Sequence, residues 1–224
     1  MDDWEKNGMT RAEQAVERLK KKCFFHKTED TVFTDIRVSL VEALRLIEPS
    51  MKYEQQIWQF RQEILEAGDQ DSFAGCGGGD RSLEACSSAG EWIERVRAGR
   101  SAETCPQGRV PSDMYLAVRE TDDRLVGIID LRHHINTPVL STWGGHIGYS
   151  VRPDERGKGY AKEMLRLNLM NCRRLGLQKV MVTCNENNPA SEKTILANGG
   201  VFEKTVEVDG SRIKRYWILP DSVR

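Results

Sequence analysis

The chain has 224 residues, 39% of them hydrophobic and 7% aromatic, which suits one medium α/β domain with an appendage and a real buried core. Its 33 basic and 34 acidic residues nearly cancel, so charge gives no reason to expect nucleic acid or an anionic membrane as partner. No apolar run approaches the roughly 20 residues that span a bilayer. The start, Met1-Asp-Asp-Trp-Glu-Lys6, lacks the charged-then-apolar order of a signal peptide, and a cytoplasmic location is expected.

Residues 1–33 are mostly polar and read as an extension to a domain covering residues 34–224. Within it, Thr10 to Lys22 suits a helix capped by Thr10, with Glu13 three residues on. Packing on the domain, homodimer contacts and disorder all remain open for this piece. Thr34 to Leu40 alternates as a first strand does. Val41 to Glu48 reads as a helical turn or two ended by Pro49, and Lys52 to Ala67 as a helix with Ile57, Phe60, Ile64 and Leu65 at helical spacing before Gly68.

Residues 69–113 are the least regular stretch, with Gly75-Cys-Gly-Gly-Gly79 and a short helix expected at Ser88–Ala98. No Gly-Lys-Ser/Thr follows the glycines, so they form no Walker loop. A flexible linker and a lid over a site are both consistent with this segment. Met114–Arg119 and Leu125–His133 then form a hairpin around Thr121-Asp-Asp-Arg124. His146–Val151 is a strand, Gly159–Arg174 a helix ended by Gly176, and Lys179–Cys184 a strand. Pro189–Ala197 is a helix capped by Asn188 and closed at Asn198-Gly-Gly200. Val201–Val208 and Arg212–Leu219 close the chain as a hairpin across Asp209-Gly210. The face shared by Ala161, Met164, Leu165, Leu169 and Cys172 is core.

The six cysteines (Cys23, Cys76, Cys86, Cys105, Cys172, Cys184) are scattered and contain no Cys-x-x-Cys pair, so neither a disulfide framework nor a structural metal is expected. Adjacent His133 and His134 point to opposite faces of a strand and cannot easily share a metal.

The segment Arg156-Gly-Lys-Gly-Tyr-Ala161 joins the His146–Val151 strand to the following helix. A helix start aims main-chain N–H groups and the positive end of the helix dipole at one spot. Gly157 and Gly159 permit positive φ and close ligand approach, while Arg156 and Lys158 add charge where an anion would sit. The arrangement suits a pyrophosphate. The absence of a Walker lysine and of a Gly-x-Gly-x-x-Gly fingerprint argues against ATP or NAD.

This turn resembles the Arg/Gln-x-x-Gly-x-Gly/Ala loop of GNAT N-acetyltransferases. Asn188-Pro-Ala-Ser191, followed by Gly199-Gly200 and Phe202, resembles the Asn-x-x-Ser/Ala…Gly-Phe segment of that family, with the phenylalanine displaced by inserted residues. The order of elements from Thr34 to Leu219 matches as well. The resemblance implies an α/β (α+β type) GNAT fold, with a mixed, mostly antiparallel central sheet flanked by helices and splayed central strands. It further implies acetyl-CoA as cosubstrate, no metal, and direct acetyl transfer to a primary amine of a small molecule or peptide.

By the same resemblance, the pantetheine arm would bond to the backbone near Tyr149 and Val151. The pyrophosphate would rest on Arg156, Gly157, Lys158, Gly159, Tyr160 and Ala161, with Asn188 and Ser191 flanking the arm. One main-chain N–H of the splayed strand would face the thioester oxygen. Many members carry a proton-donating tyrosine four residues before the glycine of the last helix; here that position holds Ile195 or Leu196. Ser191 is one turn earlier and is either the acid or a cap and cofactor contact. His146 is the preferred base, because it stands where members often carry a glutamate and titrates near neutrality. His134 is the second choice, Tyr216 a further acid candidate, and Asp154 and Glu155 read as capping charges. A non-catalytic acyl-CoA-binding module of the same fold is the alternative.

Overall fold

A strand and two helices lead into three strands, then helix, strand, helix and two strands. The computed structural model describes residues 42–76 and 82–222. The polar extension, its Thr10–Lys22 helix, the Thr34–Leu40 strand and the boundary between residues 33 and 34 lie outside the described residues.

The first described strand is β1 (Leu44–Ile47), inside the stretch expected to be helical from Val41 to Glu48. It pairs antiparallel with β2 (Ser112–Arg119), Leu44 opposite Arg119 and Ile47 opposite Leu116. The correction has a simple cause. One isolated helical turn fixes many dihedrals for few hydrogen bonds, whereas an available sheet edge pairs the same groups at once. The other helices fall where their apolar spacing puts them: α1 (Glu54–Glu66), α2 (Ala89–Ala98), α3 (Tyr160–Arg174) and α4 (Pro189–Ala197). Ser88 caps α2, its Oγ accepting from Glu91 N–H at 3.1 Å.

β3 (Arg124–Arg132) and β4 (Tyr149–Val151) complete a four-stranded antiparallel sheet in the order β1-β2-β3-β4. β5 (Val180–Asn185), β6 (Val201–Val208) and β7 (Ser211–Ile218) form a second sheet in the order β5-β7-β6. Strand alternation gives the first sheet two apolar faces. Leu116, Val118 and Ile128 pack against Phe60, Ile64, Trp92 and Ile93 of α1 and α2. Ala117 and Ile129 pack with Met164, Leu165 and Leu169 of α3 on the other face, a cluster that also takes in Ile195 of α4. Gly127 lets β3, β4 and α3 close up, since a Cβ there would lie 2.6 Å from the Ser150 carbonyl oxygen and 2.7 Å from Met164 Cε.

The two sheets meet at one place. Ile147 forms an isolated parallel bridge with Val182. His146 N–H donates to the Met181 carbonyl at 2.8 Å, and Arg132 N–H donates to the His146 carbonyl at 2.8 Å. Beyond this fork β4 and β5 are no longer paired, so the strand expected over His146–Val151 is regular only over Tyr149–Val151. No helix among the described residues is long and apolar enough to cross a membrane.

Candidate active site

The divergence of β4 from β5 leaves one edge of β4 without a partner strand, and the segment after α1 comes close to it: a Cβ on Gly75 would lie 2.4 Å from the Tyr149 carbonyl carbon. Asp130 N–H donates to the Gly148 carbonyl and Arg152 N–H to the Val126 carbonyl. In an antiparallel ladder these bonds turn the main-chain groups of residues 148, 150 and 152 toward β3. Tyr149 and Val151, which face Ile129 and Gly127 in the register, therefore turn theirs to the open edge. These are the two residues expected to bond a pantetheine arm.

A groove runs along this edge. One end, of about 470 Å³, is lined by Ser150, Val151, Arg156, Gly157, Gly159 and Ala161, among others. Gly157 and Gly159 have φ of 76° and 90°, the left-handed values that favour glycine. They deliver the chain into α3, whose first N–H groups, Tyr160 and Ala161, have no acceptor one turn back. Ser150 Oγ is buried there with no hydrogen-bond partner among the described residues. Open N–H groups, a helix start and a spare hydroxyl together fit the amides and phosphates of a coenzyme A.

The side chains of the turn act differently from one another. Arg156 donates from Nε to the Val151 carbonyl at 3.1 Å, and its Nη2 pairs with Asp69 Oδ2 at 2.7 Å. Ser72 Oγ accepts from the same nitrogen at 3.2 Å and donates to Asp69 at 2.8 Å. Lys158 is not among the residues lining the groove and pairs with Glu155, 2.8 Å from its Oε2. Lys162, one turn into α3, lines the groove in its place, and nothing in the glycine motif marked it. Tyr160 points inward, where Arg119 donates to its hydroxyl at 3.0 Å and that hydroxyl donates to Glu42 at 3.0 Å. Only its main chain can serve a ligand. Glu155 is 3% exposed and pairs with Arg119, Arg124 and Lys158, and Asp154 pairs with Arg124, so both carboxylates brace the turn.

The other end of the groove is larger, about 810 Å³, and is reached between β4, β5 and the β6–β7 hairpin. Asp71, Trp143, Thr183, Cys184, Asn185 and Asp209 are among its lining residues. Trp143 stands on a π-helical turn, Leu140–Gly144, that no sequence pattern announced. Three side chains hold the carbonyls of that turn: Thr183 Oγ1 donates to Trp143, Arg215 to Thr142, and Arg132 to Gly144 and Gly145. Burial lifts the Cys184 thiol to about 11, which keeps it protonated. Asp69 and Asp71, in the irregular stretch after α1, line both ends of the groove.

Tyr149, Asn188 and Ser191 also belong to both ends and mark where they join. Asn188 Oδ1 accepts from Ser191 N–H at 3.0 Å and caps α4. Ser191 Oγ lies 2.8 Å from Tyr149 Oη. Burial raises the Tyr149 phenol well above its ordinary value.

The remaining candidates lie elsewhere. His146 is 5% exposed and is not among the residues lining either end. Its Nδ1 accepts from Met181 N–H at 3.0 Å, which puts the proton of the neutral ring on Nε2. Burial, with the Arg132 charge adding to it, lowers its pKa to about 4. The ring holds the fork between the sheets. His134 lines neither end, and its Nδ1 is buried without a partner among the described residues. Tyr216 is 1% exposed and donates to Glu192 Oε1 at 2.6 Å. Ile195 is fully buried. Among the described residues, no three His, Cys, Asp or Glu side chains are grouped to hold a metal ion.

A family model described as an acetyltransferase (GNAT) domain matches residues 62–201, well over half of the chain. No curated protein matches the chain in sequence. Among solved structures, 130 chains match. A spermidine N-acetyltransferase SpeG chimera from Vibrio cholerae and hSSAT is 16% identical, covers 80% of this chain and 98% of its own, and has a TM-score of 0.54. The microcin C7 self-immunity acetyltransferase MccE, in complex with acetyl-CoA and AMP, is 14% identical over 81% of this chain and 94% of its own, with a TM-score of 0.55. The ribosomal-protein alpha-N-acetyltransferase RimL, in complex with coenzyme A, is 16% identical over 79% and 93%, with a TM-score of 0.53. Likeness at these identities is a likeness of fold.

Proposed function

The chain belongs to the GNAT acetyltransferase family, and from that premise we propose that it moves the acetyl group of acetyl-CoA directly onto a primary amine of a small molecule or peptide within a ternary complex. The observation that carries this is the open edge at Tyr149 and Val151, continuous with the glycine turn at the start of α3. Pantetheine amides pair with that edge as an added strand would, and the pyrophosphate meets the N–H groups of residues 157–161. Arg156 and Lys162 supply the charge on that side. The acceptor occupies the larger end, between Asp71, Trp143 and Asp209.

In this arrangement the thioester lies where the two ends join. Tyr149 N–H, on the open edge, is placed to bond the thioester oxygen as negative charge develops on it. Ser191 is the hydroxyl nearest the departing sulfur. Among the described residues the titratable groups lining the acceptor end are Asp69, Asp71, Asp209, Arg132, Cys184 and Tyr149, and His146 is not one of them, so the amine sheds its proton to water. A non-catalytic acyl-CoA-binding module gains some support from the buried Ile195 in place of the family's tyrosine. The Tyr149–Ser191 hydroxyl pair at the junction favours the enzyme.

Calorimetric titration with acetyl-CoA, with ATP and NAD alongside, is the test. One-to-one binding of acetyl-CoA alone is expected, followed by thiol release when an amine is added. Arg156→Ala should weaken coenzyme A about tenfold or more, the scale of a charge-assisted hydrogen bond, and leave the pantetheine fragment unaffected. An absence of acetyl-CoA binding removes the proposal. Binding without thiol release, across a broad set of amines, supports the binding module instead.

A further inference from the structure

We propose that Tyr149 is a positioning residue for Ser191: its hydroxyl, 2.8 Å from Ser191 Oγ, donates to that oxygen and leaves the serine proton to point into the groove at the sulfur of coenzyme A. The inference rests on the proposed function, which places the sulfur at the junction of the two ends.

The argument is a count of protons. Two hydroxyls share one contact, so one proton makes the bond and the other is free. Thr194 also lies beside the Tyr149 hydroxyl, but its own proton goes to the Ala190 carbonyl at 3.0 Å, so it cannot donate to the phenol. If serine donated to tyrosine, the free proton would be the phenol's. It would turn to Thr194 Oγ1 or to the Ser191 carbonyl, 3.4 Å away, and the groove would face a serine oxygen with no proton to give. If tyrosine donates, the free proton is serine's and lies on the groove side, because Ser191 lines both ends.

Two effects favour the second arrangement. A phenol is a stronger acid than an alkyl alcohol and is the better donor between them. A thiolate forming in the groove attracts the nearest proton, and hydrogen bonds in a chain polarise one another in the same sense. The main chain of Ser191 is held by its N–H bond to the Asn188 cap and its Oγ by the contact with Tyr149, so what remains to be set is which oxygen donates in that contact. Tyr149 settles this. It serves as donor and not as proton source, because burial opposes formation of its phenolate. The proton that reaches the sulfur is serine's and is replaced from water. The amine has given one proton to that water, so coenzyme A leaves as the free thiol and the serine ends as it began.

The test needs no acceptor. Coenzyme A is bound to the protein and its thiol titrated through the ultraviolet band of the thiolate. A donor aimed at the sulfur favours the charged form. The bound thiol should therefore hold about fivefold more thiolate, at pH values below its pKa, on the wild type than on Ser191→Ala. Tyr149→Phe, which keeps the serine proton but removes what aims it, should fall between the wild type and Ser191→Ala, and the double variant should fall no lower than Ser191→Ala. Thermal unfolding of each variant reports that the fold is kept. If Tyr149→Phe titrates like the wild type while Ser191→Ala does not, the role given to Tyr149 is wrong and the proposed function stands. If neither variant shifts the titration, Ser191 does not reach the sulfur and the inference falls. A wild type that binds no coenzyme A overturns the proposed function and this inference with it.

Discussion

Replacing His146 by asparagine separates a structural histidine from a catalytic one. In the folded chain the imidazole is held at about 4 by burial and by the Arg132 charge, against an ordinary value of about 6.5 in the unfolded chain. Between these values the unfolded state binds more protons. Stability is therefore fully present above about pH 6.5 and is lost as pH falls toward 4. From pH 7 to pH 5 this single group removes about 2 kcal/mol, and about 3 kcal/mol once pH 4 is passed. Asparagine keeps an acceptor oxygen near the place of Nδ1, so Met181 N–H stays paired. It loses the edge-to-face contact with Trp217, at a centroid distance of 6.5 Å, and some buried volume, together costing about 1–2 kcal/mol. Urea denaturation should then find His146→Asn less stable than the wild type at pH 7, with the gap closing or reversing at pH 5. A gap that does not change with pH would refute the argument that the ring is held neutral. Loss of acetyl transfer in a folded His146→Asn protein would refute its exclusion from proton transfer.

Two further outcomes follow from single contacts. The Asp69–Arg156 pair is 2.7 Å long, with side chains 34% and 40% exposed, so it contributes at most about 1 kcal/mol and competes with a pyrophosphate for the same guanidinium. Asp69→Asn should tighten coenzyme A up to about fivefold by calorimetry, whereas Asp71→Asn, which lines the same groove with no ion pair among the described residues, should do less; equal effects would show that total charge and not the pair matters. Gly127→Ala drives a Cβ into the Ser150 carbonyl and Met164, and should lower the denaturation midpoint by the equivalent of about 1–3 kcal/mol; an unchanged midpoint would mean that β4 and α3 yield freely.

Much of the fold, and the glycine turn at the start of α3, was legible in the residues alone. Caps, glycine stops and apolar spacing act over one or two turns of chain, and they located α1 to α4 and both hairpins within a residue or two. The glycine turn was legible because positive φ and a helix start are local properties, and Gly157 and Gly159 adopt the conformations that such a turn requires. Tyr149 and Val151 came from the family resemblance and not from any pattern in the residues; in the fold their main-chain groups turn away from β3.

What the chain could not disclose is partnership across long separations. Leu44–Ile47 became a strand because β2, some 70 residues away, offered it a pairing edge. Arg156 pairs with Asp69 across 87 positions, which no local pattern of charges foretold. His146 has a residue type suited to a base, but burial and a main-chain donor from β5 set its proton and its pKa. The same holds for the 2.8 Å contact of Tyr149 with Ser191, which joins a strand to a helix start 42 residues on. The sequence by itself determined where backbone conformation changes and which faces turn inward, since those depend on neighbours along the chain. The tertiary structure alone decided which side chains share a hydrogen bond, a charge or a groove, because those energies depend on distance in space and on the water that packing excludes.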